Sequence, residues 1–399
     1  MSPPRVLLWA LSVLGLLASL LSSRDARAYT WMIRHGYSGC VPCHTDPSGG
    51  GPLTPYGRAQ GEILMQSRYD QGPQEEEASP LAGLAWGQIQ TSDALRLGGD
   101  FREAFFSLKP DGVPGTSQWI TMQADLFGDV KVGRFRAEGT IGYAANGDLT
   151  AALTNSPSGN VISRDHWLGY ELDEDGSWLL RAGRIAVPFG IRNIEHNLWA
   201  RSLTRTDIDA TQQYGVALSV NKEHVRGELM GIVGNFEVHP DDFRERGYSG
   251  FVEYAPEKTL AVGASSLFTR ATRDLYVGFT DYRYANGAFL RYAPIEQVVI
   301  LAEMDSVYQS ITWHGHRGGY AGFVQADVEP AQGVHVMLTG ETQNTGAKDE
   351  QSSYGAWLSV VWFFWSHTDL RVDNVYQSIG NPAGSTSVLS LLAQLHVYL

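Results

Sequence analysis

From about Leu95 to the last residue, Leu399, apolar and polar residues alternate with a period of two. That period belongs to strands, whose successive side chains point to opposite faces. In Arg134 to Tyr143, the residues Phe135, Ala137, Ile141 and Tyr143 share one face, and Arg134, Arg136, Glu138 and Thr140 share the other. In Val334 to Gln343, Val334, Val336 and Leu338 oppose His335, Thr339, Glu341 and Gln343, with Met337 out of pattern on the polar side. Leu370 and Val372 oppose Asp369, Arg371 and Asp373. Two all-β architectures use such strands. A soluble sandwich turns its apolar faces inward, and a membrane barrel turns them outward to lipid. Alternation alone does not separate the two.

The spacing of chain breakers favours the barrel. Short turn signals recur at Gly128-Asp129, Asp173-Glu174-Asp175-Gly176, Asn221-Lys222-Glu223, Ala255-Pro256-Glu257-Lys258, Ala293-Pro294-Ile295-Glu296, Glu329-Pro330-Ala331-Gln332 and Ser366-His367-Thr368. Longer polar connections fall between them, near 109–116, 144–163, 187–211, 235–246, 269–286, 308–317, 344–352 and 379–385. Short and long in alternation is the habit of outer-membrane barrels, with short periplasmic turns and longer outer loops. Seven short turns and eight long loops join sixteen strands, and boundary error holds the count to about 14–18. Leu391, Ala393, Leu395, Val397 and Leu399 alternate with Gln394, His396 and Tyr398 up to the chain end, as a closing strand does, although such strands typically end in an aromatic residue. The expected fold is all-β, an antiparallel transmembrane β-barrel of about sixteen strands over 83–399 that carries a small N-terminal segment.

The start of the chain reads as an export signal over residues 1–28. Arg5 supplies positive charge, Val6 to Leu21 is apolar, and Ala26-Arg27-Ala28 is an A-x-A cleavage site. No cysteine stands at the expected new N-terminus, which argues against a lipoprotein. No later run is apolar for about 18 residues, so membrane crossing falls to strands. Only 18% of residues are charged, while glycine (44 residues) and aromatics (11%) are plentiful, as a membrane barrel requires. A net charge of −13 argues against nucleic acid as a partner.

One motif carries chemistry. Cys40-Val41-Pro42-Cys43-His44 holds the only two cysteines of the chain. In the C-x-x-C-H spacing two thiols reach the two vinyl groups of a haem and the adjacent histidine reaches its iron. A disulfide closing so short a loop gains little, and zinc would need a second ligand pair. The reading is one covalent haem c over 29–70, with His44 as proximal iron ligand. Candidates for the sixth position are His35, Met32 and Met65; otherwise the site is open or completed by another chain. Pro47, Gly49-Gly50-Gly51-Pro52, Pro55 and Gly57 describe an irregular loop able to wrap a flat cofactor, and a short helix is expected over 58–67. Trp31, Met32, Ile33, Tyr37, Tyr56 and Leu64 are candidates to cover the porphyrin faces. Residues 71–82, with Gly72-Pro73 and Glu75-Glu76-Glu77, read as a polar linker. His314-Gly315-His316 reads as an exposed loop, because no third metal ligand stands at a suitable spacing.

Two resemblances add to this. Met32 to Thr54 resembles a haem-bearing segment found at the start of some outer-membrane proteins of Gram-negative bacteria, which implies a monohaem module on a barrel. Gly183-Arg184 and Pro188-Phe189-Gly190, leading through Arg201-Ser202-Leu203 to Gly215-Val216, resemble the phosphate-selective porin family. That resemblance implies a 16-stranded barrel with a loop folded into the pore. Arg192, Arg201 and Arg205 would then line a constriction that favours anions, or else pair with Glu195, Asp207 and Asp209 and fix the loop.

The functional expectation is electron transfer at the outer membrane, with the haem at the periplasmic mouth and periplasmic carriers or cytochromes as partners. The alternative is a porin for small anions in which the haem is structural, gating or sensory. Peroxide chemistry requires an open iron position. Outer-membrane lipid is the surrounding medium, and a homo-oligomer is compatible with the sequence though no feature tests for one.

Overall fold

The computed structural model describes residues 29–69, 78–143, 161–195, 197–208, 211–234 and 245–399. The export signal and most of the expected linker lie outside the described residues. The strands are β1 (Leu95–Pro110), β2 (Thr116–Val132), β3 (Phe135–Tyr143), β4 (Val161–Ile162), β5 (His166–Glu171), β6 (Trp178–Ile185), β7 (Gln213–Asn221), β8 (Val225–Gly234) and β9 (Glu245–Glu257). They continue with β10 (Leu260–Ala271), β11 (Asp281–Ile295), β12 (Val298–Ile311), β13 (Gly315–Ala331), β14 (Val334–Asn344), β15 (Ser353–Trp365), β16 (Thr368–Asn381) and β17 (Gly384–Tyr398).

Neighbours in the chain pair antiparallel, and β1 pairs with β17 as well as with β2, which closes the sheet on itself. The two-residue β4 and β5 both pair with β3, so they are two pieces of one stave and the wall has sixteen. Closure satisfies every ladder N–H and C=O within the wall, which lipid cannot do for an open edge.

The faces settle which all-β architecture this is. Phe135, Ile141, Leu338, Leu370 and Leu395 are exposed on the outer surface, while Arg136, Glu138, Thr140, His335, Glu341, Asp369, Arg371, Asp373 and His396 are buried inside. Apolar side chains point out and polar ones point in, the reverse of a sandwich.

The alternation of short and long connections holds only in part. Gly128-Asp129 lies within β2, and the turn comes later, at Gly133-Arg134. The long loops expected near 109–116, 308–317 and 379–385 shrink to the short links 111–115, 312–314 and 382–383, because the strands continue through polar sequence. A hairpin that projects beyond the apolar belt is polar on both faces, and composition alone reads it as loop. The connections expected at 144–163 and 235–246 lie largely outside the described residues. The stretch from β6 to β7 is long, as expected, and folds into the lumen. There Gly190 N–H donates to Ser265 Oγ at 2.8 Å, Ile191 N–H to Glu303 Oε2 at 2.7 Å, and Trp199 N–H, at the start of helix α2 (Trp199–Thr204), to Glu341 Oε2 at 2.9 Å. At Gly190, with φ +59°, a Cβ would stand 2.1 Å from Glu303 Oε1, so only glycine fits.

The outward belt is open to a direct test. Leu338→Arg, on the exposed face of β14, is expected to destabilise the barrel in bilayers by about 2–4 kcal/mol if it sits near the midplane, with Leu338→Ala costing less. Denaturant titration of the protein folded into liposomes reads the difference, and equal stabilities would place this face away from lipid.

Candidate functional site

The segment before the barrel occupies the inside of its short-turn end. A 3₁₀ helix (Thr30–His35) stops at Gly36, which takes a left-handed conformation. Cys43 N–H and His44 N–H both donate to Cys40 O, at 3.1 and 3.0 Å. That single turn places both thiols and the imidazole within five consecutive residues. The chain then loops out and returns, with Thr45 N–H donating to Pro52 O at 3.1 Å and Thr54 N–H to Cys43 O at 2.9 Å. Thr54 caps helix α1 (Pro55–Gln60) by accepting from Gly57 N–H at 2.9 Å, and a wider helical turn continues over Gly61–Met65. A Cβ at Gly57 would lie 2.3 Å from Cys43 O, so α1 rests against the cysteine turn only because residue 57 is glycine.

Charged side chains seat this segment against the wall. Arg34, fully buried, pairs with Asp327, and its Nη1 donates to Glu329 Oε2 at 2.9 Å. Its guanidinium lies 5.4 Å from the centre of the Trp31 ring, and Trp31 packs on His335. Asp46 pairs with Arg181 of β6 and accepts from Trp167 Nε1 at 3.0 Å. Burial alone would raise the Asp46 carboxyl, but the Arg181 charge and the bonds from Ser48 reverse this and hold it below the ordinary carboxylate value. Thr45 Oγ1 donates to Glu138 Oε2 at 2.6 Å, and Arg136 Nη2 donates to Thr45 O at 2.8 Å. At the rim, Ser67 N–H donates to Phe363 O at 2.8 Å, and Trp86 Nε1 donates to Ser366 O at 3.0 Å.

Between the segment, the inward loop and the β1–β2–β17 wall lies a cavity holding about 1540 Å³ of space, part of it open to solvent. Cys40, Cys43 and His44 all face it, along with the glycines 49, 50 and 51. Neither cysteine is part of a disulfide, and Arg226 Nη1 lies 3.6 Å from Cys40 Sγ. His44 is half-buried, with its Nδ1 enclosed and without a hydrogen-bond partner among the described residues. Burial lowers its pKa to about 4, with the Asp46 charge pulling only partly the other way, so the imidazole is neutral and its lone pair is available near neutral pH. Two thiols, a neutral imidazole beside them and side-chain-free glycine walls are what a c-type haem needs, and the residues present fit that group.

The structure sorts the other candidates. Met32 and Met65 face the cavity and His35 is not among the residues lining it; His35 sits at the rim with Nδ1 3.7 Å from Glu296 Oε1. Of the expected porphyrin covers besides Met32, Tyr37 faces the cavity, Trp31 and Ile33 join the hydrophobic cluster of the lumen, and Tyr56 is exposed. The helix expected over 58–67 begins earlier, at Pro55. His314 and His316 are exposed on the hairpin between β12 and β13. Of the loop arginines, Arg201 and Arg205 are ion-paired with acids from far along the chain; of the acids expected from their neighbourhood in sequence, Glu195 pairs elsewhere and Asp209 lies outside the described residues. Arg201 pairs with Glu303 and Arg205 with Asp274 and Glu245, while Glu195 pairs with Arg371. Glu303, Glu245 and Arg371 lie on distant strands and Asp274 on the connection between β10 and β11, so no local signal announces them. Asp46, which anchors the N-terminal segment, was equally invisible, since its partner stands 135 residues away.

Solved structures share the barrel. A loop-deletion form of the outer-membrane protein OmpT of Vibrio cholerae superposes with a TM-score of 0.58 at 15% identity, covering 77% of this chain and all (100%) of that one. The anion-selective porin of Comamonas acidovorans gives 0.58 at 11%, covering 76% and 99%. The outer-membrane channel DcaP of Acinetobacter baumannii gives 0.56 at 12%, covering 78% and 99%. No family model matches the chain, and no curated protein matches it. At these identities the likeness establishes the fold, a porin-like barrel of the outer-membrane type.

Two predictions follow from the seating of the segment. Arg34→Ala removes the guanidinium that pairs with Asp327 and Glu329 and leaves only His335 beside them, an effect of about 3–5 kcal/mol for a buried pair. The N-terminal segment is then expected to become protease-sensitive while the barrel stays folded by its heat-shifted gel mobility; unchanged protection would remove Arg34 from the anchoring role. The second concerns pH. A segment whose His44 stays neutral down to about 4, against an unfolded value of 6.5, binds fewer protons docked than released. In a Cys40→Ala/Cys43→Ala double variant, docking is therefore expected to weaken as pH falls from about 6.5 to 4. His44→Gln should flatten that response, and a response that survives the substitution assigns it to another group.

Proposed function

We propose that this chain is a haem-carrying, porin-like barrel of the outer membrane, with one covalent haem c inside its periplasmic mouth, and that it exchanges electrons with carriers or cytochromes of the periplasm. One observation carries this reading: both thiols of the C-x-x-C-H turn and the neutral His44 face a single glycine-walled cavity. The short-turn end of such barrels faces the periplasm, the compartment in which this segment would receive its haem.

Cys40 and Cys43 would add their thiols across the two vinyl groups as thioethers. His44 would donate a ring nitrogen lone pair to the iron. Met32 or Met65 stands ready as a thioether ligand on the cavity wall, a choice that raises the potential relative to a second histidine. When bound, the group supplies a one-electron Fe(III)/Fe(II) couple. The surrounding wall keeps bulk water from much of it, and the seated segment holds it at one end of a barrel whose apolar band is about 25 Å tall. A partner on the far side, or a diffusing reductant or oxidant, is needed to complete a transmembrane path.

The second reading, a porin for small anions, is favoured by the fold likeness, since one of the similar structures is described as anion-selective. Against it, the inward loop and the N-terminal segment pack together across the lumen, with Met32, Ile33, Leu198 and Trp199 in one hydrophobic cluster. Conduction would need the segment to move out. One OmpT form is described as a trimer, and native mass spectrometry in detergent would read self-association here.

The test is spectroscopic and electrical. Protein purified from outer membranes is expected to show a sharp reduced α-band from covalent haem, lost in Cys40→Ala/Cys43→Ala and converted to high spin in His44→Ala. Met32→Ala or Met65→Ala should convert it likewise if that sulfur is the sixth ligand. In planar bilayers the full chain is expected to conduct far less than a form lacking residues 29–69. Absence of haem together with steady anion conductance by the full chain would replace the first reading with the second.

A further inference from the structure

The cavity that faces Cys43 and His44 has four arginines in its wall, and three of them are spoken for. Arg102 Nε donates to Asp100 Oδ1 at 3.2 Å, Arg164 Nε to Asp125 Oδ2 at 2.7 Å, and Arg291 Nε to Glu253 Oε2 at 2.9 Å. The fourth, Arg192, is only 6% exposed, yet its Nε, Nη1 and Nη2 all lack a hydrogen-bond partner among the described residues. A buried guanidinium without an acceptor is among the more costly arrangements a protein can hold. Its backbone is not free to carry it elsewhere. The preceding residue donates its N–H to Glu303, and Asn193 N–H donates to Ile191 O at 3.0 Å. The same loop sends Ile194 and Ile208 into the cavity wall, so one cation stands on an otherwise apolar stretch of lining. Burial lowers the Arg192 pKa, while the charges of Glu228 and Asp46 pull it back from beyond ion-pairing distance.

We propose that Arg192 is the anchor for a carboxylate of the cofactor, its guanidinium pairing with one haem propionate. This rests on the reading of the cavity as a haem site and specifies how the group is oriented there. Thioether bonds fix the vinyl edge of a porphyrin, and the propionates leave from another edge; a fork-shaped donor on the inward loop, a different element from the cysteine turn, fixes that second edge. The arginine acts as a positioning residue and sets the charge felt by the iron. A neutralised propionate favours Fe(II), and an exposed anionic one favours Fe(III).

The experiment uses the full-length holoprotein in detergent, with Arg192→Gln and Arg192→Lys. At a fixed ambient potential the Fe(II)/Fe(III) ratio of Arg192→Gln is expected to fall roughly tenfold, the size of one unit charge about 10 Å away at an effective dielectric near 20. As the newly unpaired propionate takes up a proton, the ratio should also gain a further pH-dependent step between about 5 and 8, beyond the one the other propionate gives the native protein and Arg192→Lys. A ratio and pH profile in Arg192→Gln equal to the native ones overturn the assignment. If Arg192→Gln does not assemble, redox infrared difference spectra of the native protein with ¹³C-carboxyl-labelled haem decide instead. One propionate that stays ionised as pH falls through 5 supports the pairing, and two that both protonate in that range overturn it. A native protein without covalent haem is a separate result, and it removes the haem reading itself.

Discussion

A charged side chain turned into a closed barrel must find a counter-charge inside it. The wall leaves no choice about direction, because lipid takes the apolar face and sends every second residue inward. Here the inward set is rich in both signs, and the two are matched in compact groups: Arg201 with Glu303, Arg371 with Asp373 and Glu195, Arg226 and Arg291 with Glu253. Two further groups take in the N-terminal segment as well as the wall: Arg34 joins His335 against Asp327 and Glu329, and Asp46 joins Glu228 against Arg181. The segment is thus part of the electrostatic balance of the lumen. Buried pairs of this kind add little net stability over apolar packing, but their loss is severe, so they specify where the segment sits more than how firmly the barrel holds.

That placement decides what the cavity can be. A cysteine turn held in water would present its thiols to anything that diffuses past. Seated inside the barrel mouth, the same turn faces a space walled by glycines, two methionine side chains, a neutral imidazole and the end of the last strand. The inward loop closes the space from within, and among the described residues it supplies the one cavity arginine left without an acceptor.

Much of the fold was legible from the chain alone. A period of two fixed the strands and their faces, and Gly183-Arg184 with Pro188-Phe189-Gly190 pointed to the loop that enters the lumen. Turn positions were less legible where polar hairpins run beyond the apolar belt, because there the alternation vanishes while pairing continues. The cysteine turn and its histidine were plain in the sequence as a motif. What surrounds them was not: Met32 and Met65 were two among several candidates beside His35, and Arg192 was one of three loop arginines with nothing local to separate it from Arg201 and Arg205. The distinction arises from partners such as Glu303 and Asp274, which the barrel brings across the lumen from far along the chain.

The seating of the N-terminal segment also sets an order of events in biogenesis. Arg34 and Asp327 are separated by 293 residues, and Trp86 and Ser366 by 280. The first part of the chain to leave the translocation machinery therefore waits for nearly the last before it has anything to dock against. During that interval the cysteine turn is accessible, whereas in the finished barrel Cys43 is enclosed and Gly57 packs α1 directly onto its carbonyl. Any enzyme that must handle these thiols has its opportunity before the wall closes, and the late pairing of β17 with β1 acts as the clock that ends it.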